Sequence, residues 1–115
     1  MGYESRVFIV EEHDTMKWSD VIAVVNMCNM VPGFKSLFRQ HVTNDFYAPN
    51  DGNARVKEDD YGDEIKAADV QTVINFLEKE VKRGEEYRRI KPLLSLLKSF
   101  EPAKWRNLKV YHYGY

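Results

Sequence analysis

The sequence predicts an α+β domain: a single small antiparallel or mixed sheet of three to five strands, with helices packed mainly on one face. Three observations support this prediction. Both ends of the chain, SRVFIVEE and LKVYHYGY, are rich in β-branched and aromatic residues. Two stretches of the C-terminal half repeat apolar residues at helical spacing. The length of 115 residues is typical of one domain, so we expect a single domain over residues 1–115.

The two terminal strands are expected to pair in the centre of the sheet. The first, residues 5–12, contains the apolar run VFIV, and successive side chains of a strand point to opposite faces. Both of its faces are therefore apolar, as in a covered strand. In the last strand, residues 108–115, we expect Leu108, Val110 and His112 to face the core and the tyrosines to face the other way.

The segment after the first strand is expected to form a helix from Trp18 to Cys28, because its apolar residues recur at helical spacing. Its β-branched content leaves a second strand as the alternative. Residues 34–42 are predicted to form a short helix, again with a strand as the alternative. The turn-forming run PNDGN between FYA and ARVKE predicts a β-hairpin.

Two helices are predicted in the C-terminal half. The first follows Asp69, carries apolar residues at three-and-four spacing and ends at Gly84. The second spans residues 87–100, with Pro92 in its first turns or at a kink.

Composition excludes several classes of protein. Cys28 is the only cysteine, so neither an intrachain disulfide nor a cysteine-based zinc site can form. No stretch is apolar enough for a signal-peptide core or a membrane span, so we expect a cytoplasmic protein that does not bind membranes. We find no nucleophile motif or dinucleotide fingerprint, and the sequence predicts neither catalytic residues nor a cofactor.

Charge is distributed unevenly along the chain. Residues 43–69 carry eight acidic and three basic side chains, whereas residues 70–115 carry ten basic and five acidic. The first region predicts an acidic patch that binds a basic groove on another protein, with a solvated hairpin turn as the alternative. The patch consists of Asp45, Asp51, Glu58, Asp59, Asp60, Asp63 and Glu64.

The basic region predicts nucleic-acid binding as an alternative function, because clustered cations contact phosphates and nearby aromatic rings stack on bases. Its candidate residues are Lys82, Arg83, Arg88, Arg89, Lys104 and Arg106. Several glutamates lie among them, which is also typical of a solvated helix surface with ion pairs.

The tyrosines at the end of the chain are a further candidate surface. Tyr111, Tyr113 and Tyr115 share one face of the last strand. If helices cover only the other face, these rings would contact a target protein or a second copy in a homodimer.

A small metal-dependent enzyme is the second alternative. His13, His41 and His112, with Glu12, Asp14 and Asp45, offer ligands for zinc, manganese or iron. Their spacing matches no metal motif, so no metal ligand is predicted.

The opening MGYESRVFIVEE and the ending KVYHYGY, on a chain of this length, resemble small accessory proteins encoded by phages and prophages of Gram-positive bacteria. Such proteins often bind and inhibit host machinery, and anti-CRISPR proteins are one class of them. The resemblance implies a non-enzymatic inhibitor of a host or defence protein in the host cytoplasm. Its acidic surface would block the nucleic-acid site of a nuclease.

Overall fold

A computed structural model describes residues 5–13, 17–27, 32–46, 58, 62–84, 89–100 and 107–114. These residues form strands β1 (Ser5–His13), β2 (Trp18–Asn26), β3 (Gln40–His41), β4 (Lys66–Asp69) and β5 (Leu108–Gly114), helices α1 (Val70–Lys82) and α2 (Ile90–Ser99), and a 3-10 turn (Lys35–Leu37). The strands make one sheet of order β2-β1-β5-β4-β3, in which all neighbours are antiparallel. The predicted α+β class is therefore confirmed.

The terminal strands β1 and β5 pair along most of their length, from Ser5 opposite Gly114 to Glu11 opposite Leu108. Strand β5 occupies the centre of the sheet, between β1 and β4. Its central position explains why this strand is rich in β-branched and aromatic residues: both of its edges are hydrogen-bonded and nearly all of its side chains are buried.

The segment predicted as a helix from Trp18 is strand β2, and that prediction is wrong. A β-bulge causes the misleading spacing: Ile9 faces Ala23 while Val10 faces Val21, so Ile22 is an extra residue. Val21 therefore packs on one side of the sheet and Ala23 on the other. Strand pairing with β1 favours the extended form of this β-branched segment.

Both predicted C-terminal helices are present. Helix α1 begins after Asp69 and is followed by Gly84 at a φ of 77°, a left-handed conformation that glycine adopts without strain. Helix α2 has Pro92 in its first turn, where no intrahelical amide bond is lost. Among the described helices, neither has the length and apolarity needed to cross a membrane.

The predicted short helix at residues 34–42 is shorter than expected. Only Lys35–Leu37 form a 3-10 turn, and Gln40–His41 pair with β4 as a strand. Most of the predicted hairpin around PNDGN lies outside the described residues.

The sheet separates two apolar cores. Leu108 and Val110 face the helices and pack with Leu77, Leu93 and Leu97. On the other face lies a second cluster, made of Phe8, Val10, Phe46, Ile65, Ala67, Tyr111 and Tyr113. The side-chain directions predicted for β5 are therefore correct, but the face opposite the helices is covered by the chain itself.

Candidate binding cleft

A cleft of about 640 Å³ lies where β4 and β5 meet the 3-10 turn. A volume of this size is typical of sites that hold a small ligand or an anchoring side chain. Its lining residues come from three parts of the chain and are Gly33, Lys35, Ser36, Phe38, Arg39, Asp63, Glu64, Lys66 and His112.

The first wall is the turn that follows Pro32. Gly33 has a φ of 81°, which lets the chain reverse there. Ser36 Oγ donates a hydrogen bond of 2.7 Å to the Gly33 carbonyl, and Arg39 Nε donates one of 3.2 Å to the Ser36 carbonyl. These short-range bonds fix the backbone that carries the Lys35 and Arg39 side chains.

The floor is aromatic and buried. His112 of β5 is only 4% exposed and its ring centroid lies 5.1 Å from that of Phe38. Ser5 Oγ lies 2.9 Å from His112 Nε2, within hydrogen-bond distance. Because His112 packs against rings and contacts a buried hydroxyl, its role in the cleft is structural.

The second wall contributes acidic groups that are already paired. Lys35 Nζ donates to Asp63 Oδ2 at 2.8 Å and so joins the two walls. This hydrogen bond and the lysine charge lower the pKa of Asp63. His41 Nδ1 lies 3.1 Å from Glu64 Oε1. Each of these two acidic groups therefore contacts a basic side chain.

Two further cations, Arg39 and Lys66, line the cleft. Among the residues that the structure describes, no carboxylate lies within ion-pair distance of the Arg39 guanidinium or the Lys66 ammonium. Lys66 is half-buried and Arg39 is exposed. A partly desolvated ammonium gains more from an added anion than one in bulk water. The cleft can therefore bind a negatively charged group above an apolar floor.

The structure brings together part of the predicted acidic patch. Glu58 and Glu64 form an isolated antiparallel bridge, with Asp63 next to it. Asp45 lies elsewhere, where its backbone bridges Trp18 at the start of β2. Asp51, Asp59 and Asp60 lie outside the described residues.

The predicted tyrosine surface is wrong for two of its three residues. Tyr111 is 0% exposed and Tyr113 is 4% exposed, so neither ring is accessible to another protein. Phe46, in the segment that follows β3, covers Tyr111 with a ring-centroid distance of 5.1 Å, and Phe8 packs on Tyr113 at 5.8 Å. Tyr115 lies outside the described residues.

The basic residues of the C-terminal half are partly used within the fold. Arg89 is half-buried and donates a hydrogen bond of 2.6 Å to the Asn26 carbonyl, and Arg83 pairs with Glu80 at 3.5 Å. Lys82 is exposed at the end of α1. Arg88, Lys104 and Arg106 lie outside the described residues.

The three histidines do not form one site. His112 faces Val7 across the β1–β5 pair, and His13 lies six residues farther along β1. Six residues of strand span roughly 20 Å. The sheet register therefore contradicts a single site that combines His13 with His112.

Sequence reasoning missed the cations that distinguish the cleft. Neither Arg39 nor Lys66 belongs to a sequence motif, although Asp63, Glu64 and His112 of the same cleft were singled out from the sequence. The chain matches no known protein-family model, and no curated protein or solved structure is significantly similar to it.

Proposed function

We propose that this protein is a non-enzymatic binding module whose cleft receives a carboxylate-bearing segment of a partner protein. The observation that carries the proposal is the pair of cations, Arg39 and Lys66, that line the cleft with no carboxylate of the described residues within ion-pair distance.

The shape and chemistry of the cleft favour a side chain or chain end that combines an anion with an apolar part. The anion would lie between Arg39 and Lys66, since charge-assisted hydrogen bonds are the stronger ones. The apolar part would lie on Phe38 and His112, which form the buried floor. Each bond to a charged group adds about 1.5–3 kcal/mol, enough for specificity when two act together.

This proposal reverses the sign of the surface expected from the sequence. An acidic patch that competes with nucleic acid needs uncompensated carboxylates, whereas two of the described members of the predicted patch, Asp63 and Glu64, each contact a basic group. The carboxylate therefore comes from the partner, and the cations from this protein. Inhibition of a host or defence protein in the cytoplasm, as the phage resemblance implies, stays a prediction.

Selection from a displayed library of random peptides tests the proposal without knowledge of the partner. We expect selected peptides to share an acidic residue or terminal carboxylate next to an apolar residue. Labelled versions should lose at least tenfold in affinity for the Arg39→Gln/Lys66→Gln variant, since tenfold corresponds to about 1.4 kcal/mol.

A charge-matched control is available on the two helices. Lys82→Gln/Lys91→Gln removes the same charge from exposed positions outside the cleft lining and should bind the peptides as the wild type does. Equal losses in both double variants would show a non-specific charge effect and overturn the proposal. So would selected peptides without any acidic preference.

A further inference from the structure

The outer end of the β1–β2 pair carries a cluster of different chemistry. Glu11 and His13 are two residues apart on β1 and share a face, and Asp20 of β2 lies directly opposite Glu11. His13 Nε2 lies 2.8 Å from Asp20 Oδ2 and 3.6 Å from Glu11 Oε1. One oxygen of each carboxylate and the imidazole nitrogen all lie within 4.8 Å of one another.

The pairing of Glu11 with Asp20 is unfavourable by itself. Like charges directly opposite each other on neighbouring strands destabilise a sheet. Both carboxylates nevertheless point toward the same imidazole nitrogen, His13 Nε2. A positive charge at their meeting point would turn this repulsion into attraction.

The spacing suits a divalent cation. Tetrahedral zinc with ligands at about 2.1 Å places neighbouring ligand atoms about 3.4 Å apart. The observed separations of 2.8 and 3.6 Å lie on either side of that value. Side-chain rotation would bring the three ligand atoms to that spacing, and the strands that carry them are fixed by backbone pairing.

One ligand is also oriented from outside the cluster. Trp18 Nε1 donates a hydrogen bond of 3.1 Å to Asp20 Oδ1, which leaves Oδ2 directed at His13. Such outer hydrogen bonds are typical partners of metal ligands.

We propose that Glu11, His13 and Asp20 form a zinc-binding site, with water in the remaining coordination positions. The side chains of the three residues are 35%, 33% and 57% exposed, so water reaches the ion. One imidazole with two carboxylates favours zinc over magnesium or calcium, which bind all-oxygen ligand sets. This site is independent of the cleft, because none of its residues lines it.

Trp18 provides an internal reporter for the test. In a Trp105→Phe background it is the only tryptophan, since the chain has two. We expect saturable one-to-one zinc binding by calorimetry, quenching of Trp18 fluorescence by cobalt at the same site, and no response to magnesium. Asp20→Asn keeps the side-chain shape and should weaken zinc binding at least tenfold, as should His13→Ala.

His41→Ala is the matched control, because His41 is an exposed histidine that also lies next to a carboxylate. Its zinc affinity should equal that of the parent. Three results would each overturn the proposal: no saturable zinc binding, equal weakening by His41→Ala, or unchanged affinity in Asp20→Asn and His13→Ala. Thermal melting in the absence of metal verifies that the variants are folded.

Discussion

Removal of one buried hydroxyl, in Tyr111→Phe, tests the packing of the sheet face opposite the helices. Tyr111 donates a hydrogen bond of 2.5 Å to Glu12 Oε2, and its oxygen lies 3.2 Å from Ser19 Oγ, which then acts as the donor. The ring is 0% exposed and Ser19 is 1% exposed. The hydroxyl therefore connects β5 with both β1 and β2, through a buried bond to Ser19 and a partly buried bond to Glu12.

The expected loss of unfolding free energy follows from these two hydrogen bonds. A hydrogen bond to a charged group contributes about 1.5–3 kcal/mol, and a buried hydroxyl left without its partner costs about 1 kcal/mol or more. We expect Tyr111→Phe to lower the free energy of unfolding by about 2–4 kcal/mol. That is a large share of the roughly 5–15 kcal/mol typical of a folded protein.

Urea unfolding followed by circular dichroism measures this change. The midpoint should fall while the slope stays constant, because the surface exposed on unfolding is nearly unchanged. In Ser19→Ala/Tyr111→Phe the serine hydroxyl is gone too, so the double variant should lose less stability than the sum of the two single changes. A loss below about 0.5 kcal/mol in Tyr111→Phe would refute the reasoning.

The same hydroxyl predicts a pH dependence. Burial, together with the hydrogen bond to Glu12, raises the pKa of Tyr111 above its ordinary value of 10.0. Above pH 10 the unfolded chain therefore binds fewer protons at this residue than the folded chain. The free energy of unfolding should fall as the pH rises beyond 10, by at most about 1.4 kcal/mol per pH unit. Tyr111→Phe should lack this part of the slope.

Two further predictions concern the fold. Deletion of residues 111–115 should unfold or aggregate the protein, because β5 is the central strand and pairs with both β1 and β4; a soluble truncation with an unchanged melting curve by circular dichroism would contradict this. Leu97→Ala should cost about 2–5 kcal/mol in urea unfolding, since Leu97 is 0% exposed, and Leu96→Ala, at a half-buried neighbour, should cost less. An equal loss of unfolding free energy at the two leucines would contradict their difference in burial.

The predictions from sequence were correct for the helices and strands whose apolar spacing extends over many residues. The apolar spacing after Asp69 identified α1, and the runs VFIV and LKVYHY identified β1 and β5 with the right directions for Val110 and Tyr111. Periodicity is a property of the local chain, so it can be read without knowledge of the neighbours.

The candidate cleft could not be identified in this way. Arg39 and Lys66 lie 27 positions apart, and only antiparallel pairing of β3 with β4 brings their segments together. The proposed zinc ligands could not be identified from local sequence either. The sequence singled out His13 but grouped it with Glu12 and Asp14. Its neighbours in the structure are Glu11 and Asp20. Glu12 points to the opposite face, where it contacts Tyr111.

The sequence by itself determined the two C-terminal helices, the two long terminal strands and which of their side chains share a face, because each rests on the spacing of neighbours along the chain. Tertiary structure alone decided that residues 18–26 form a strand, since the bulge at Ile22 interrupts its alternation and pairing with β1 selects the extended form. It also decided what covers Tyr111. Phe46 and Ile65 bury that face because contacts between distant segments depend on how the sheet assembles, which no local spacing encodes.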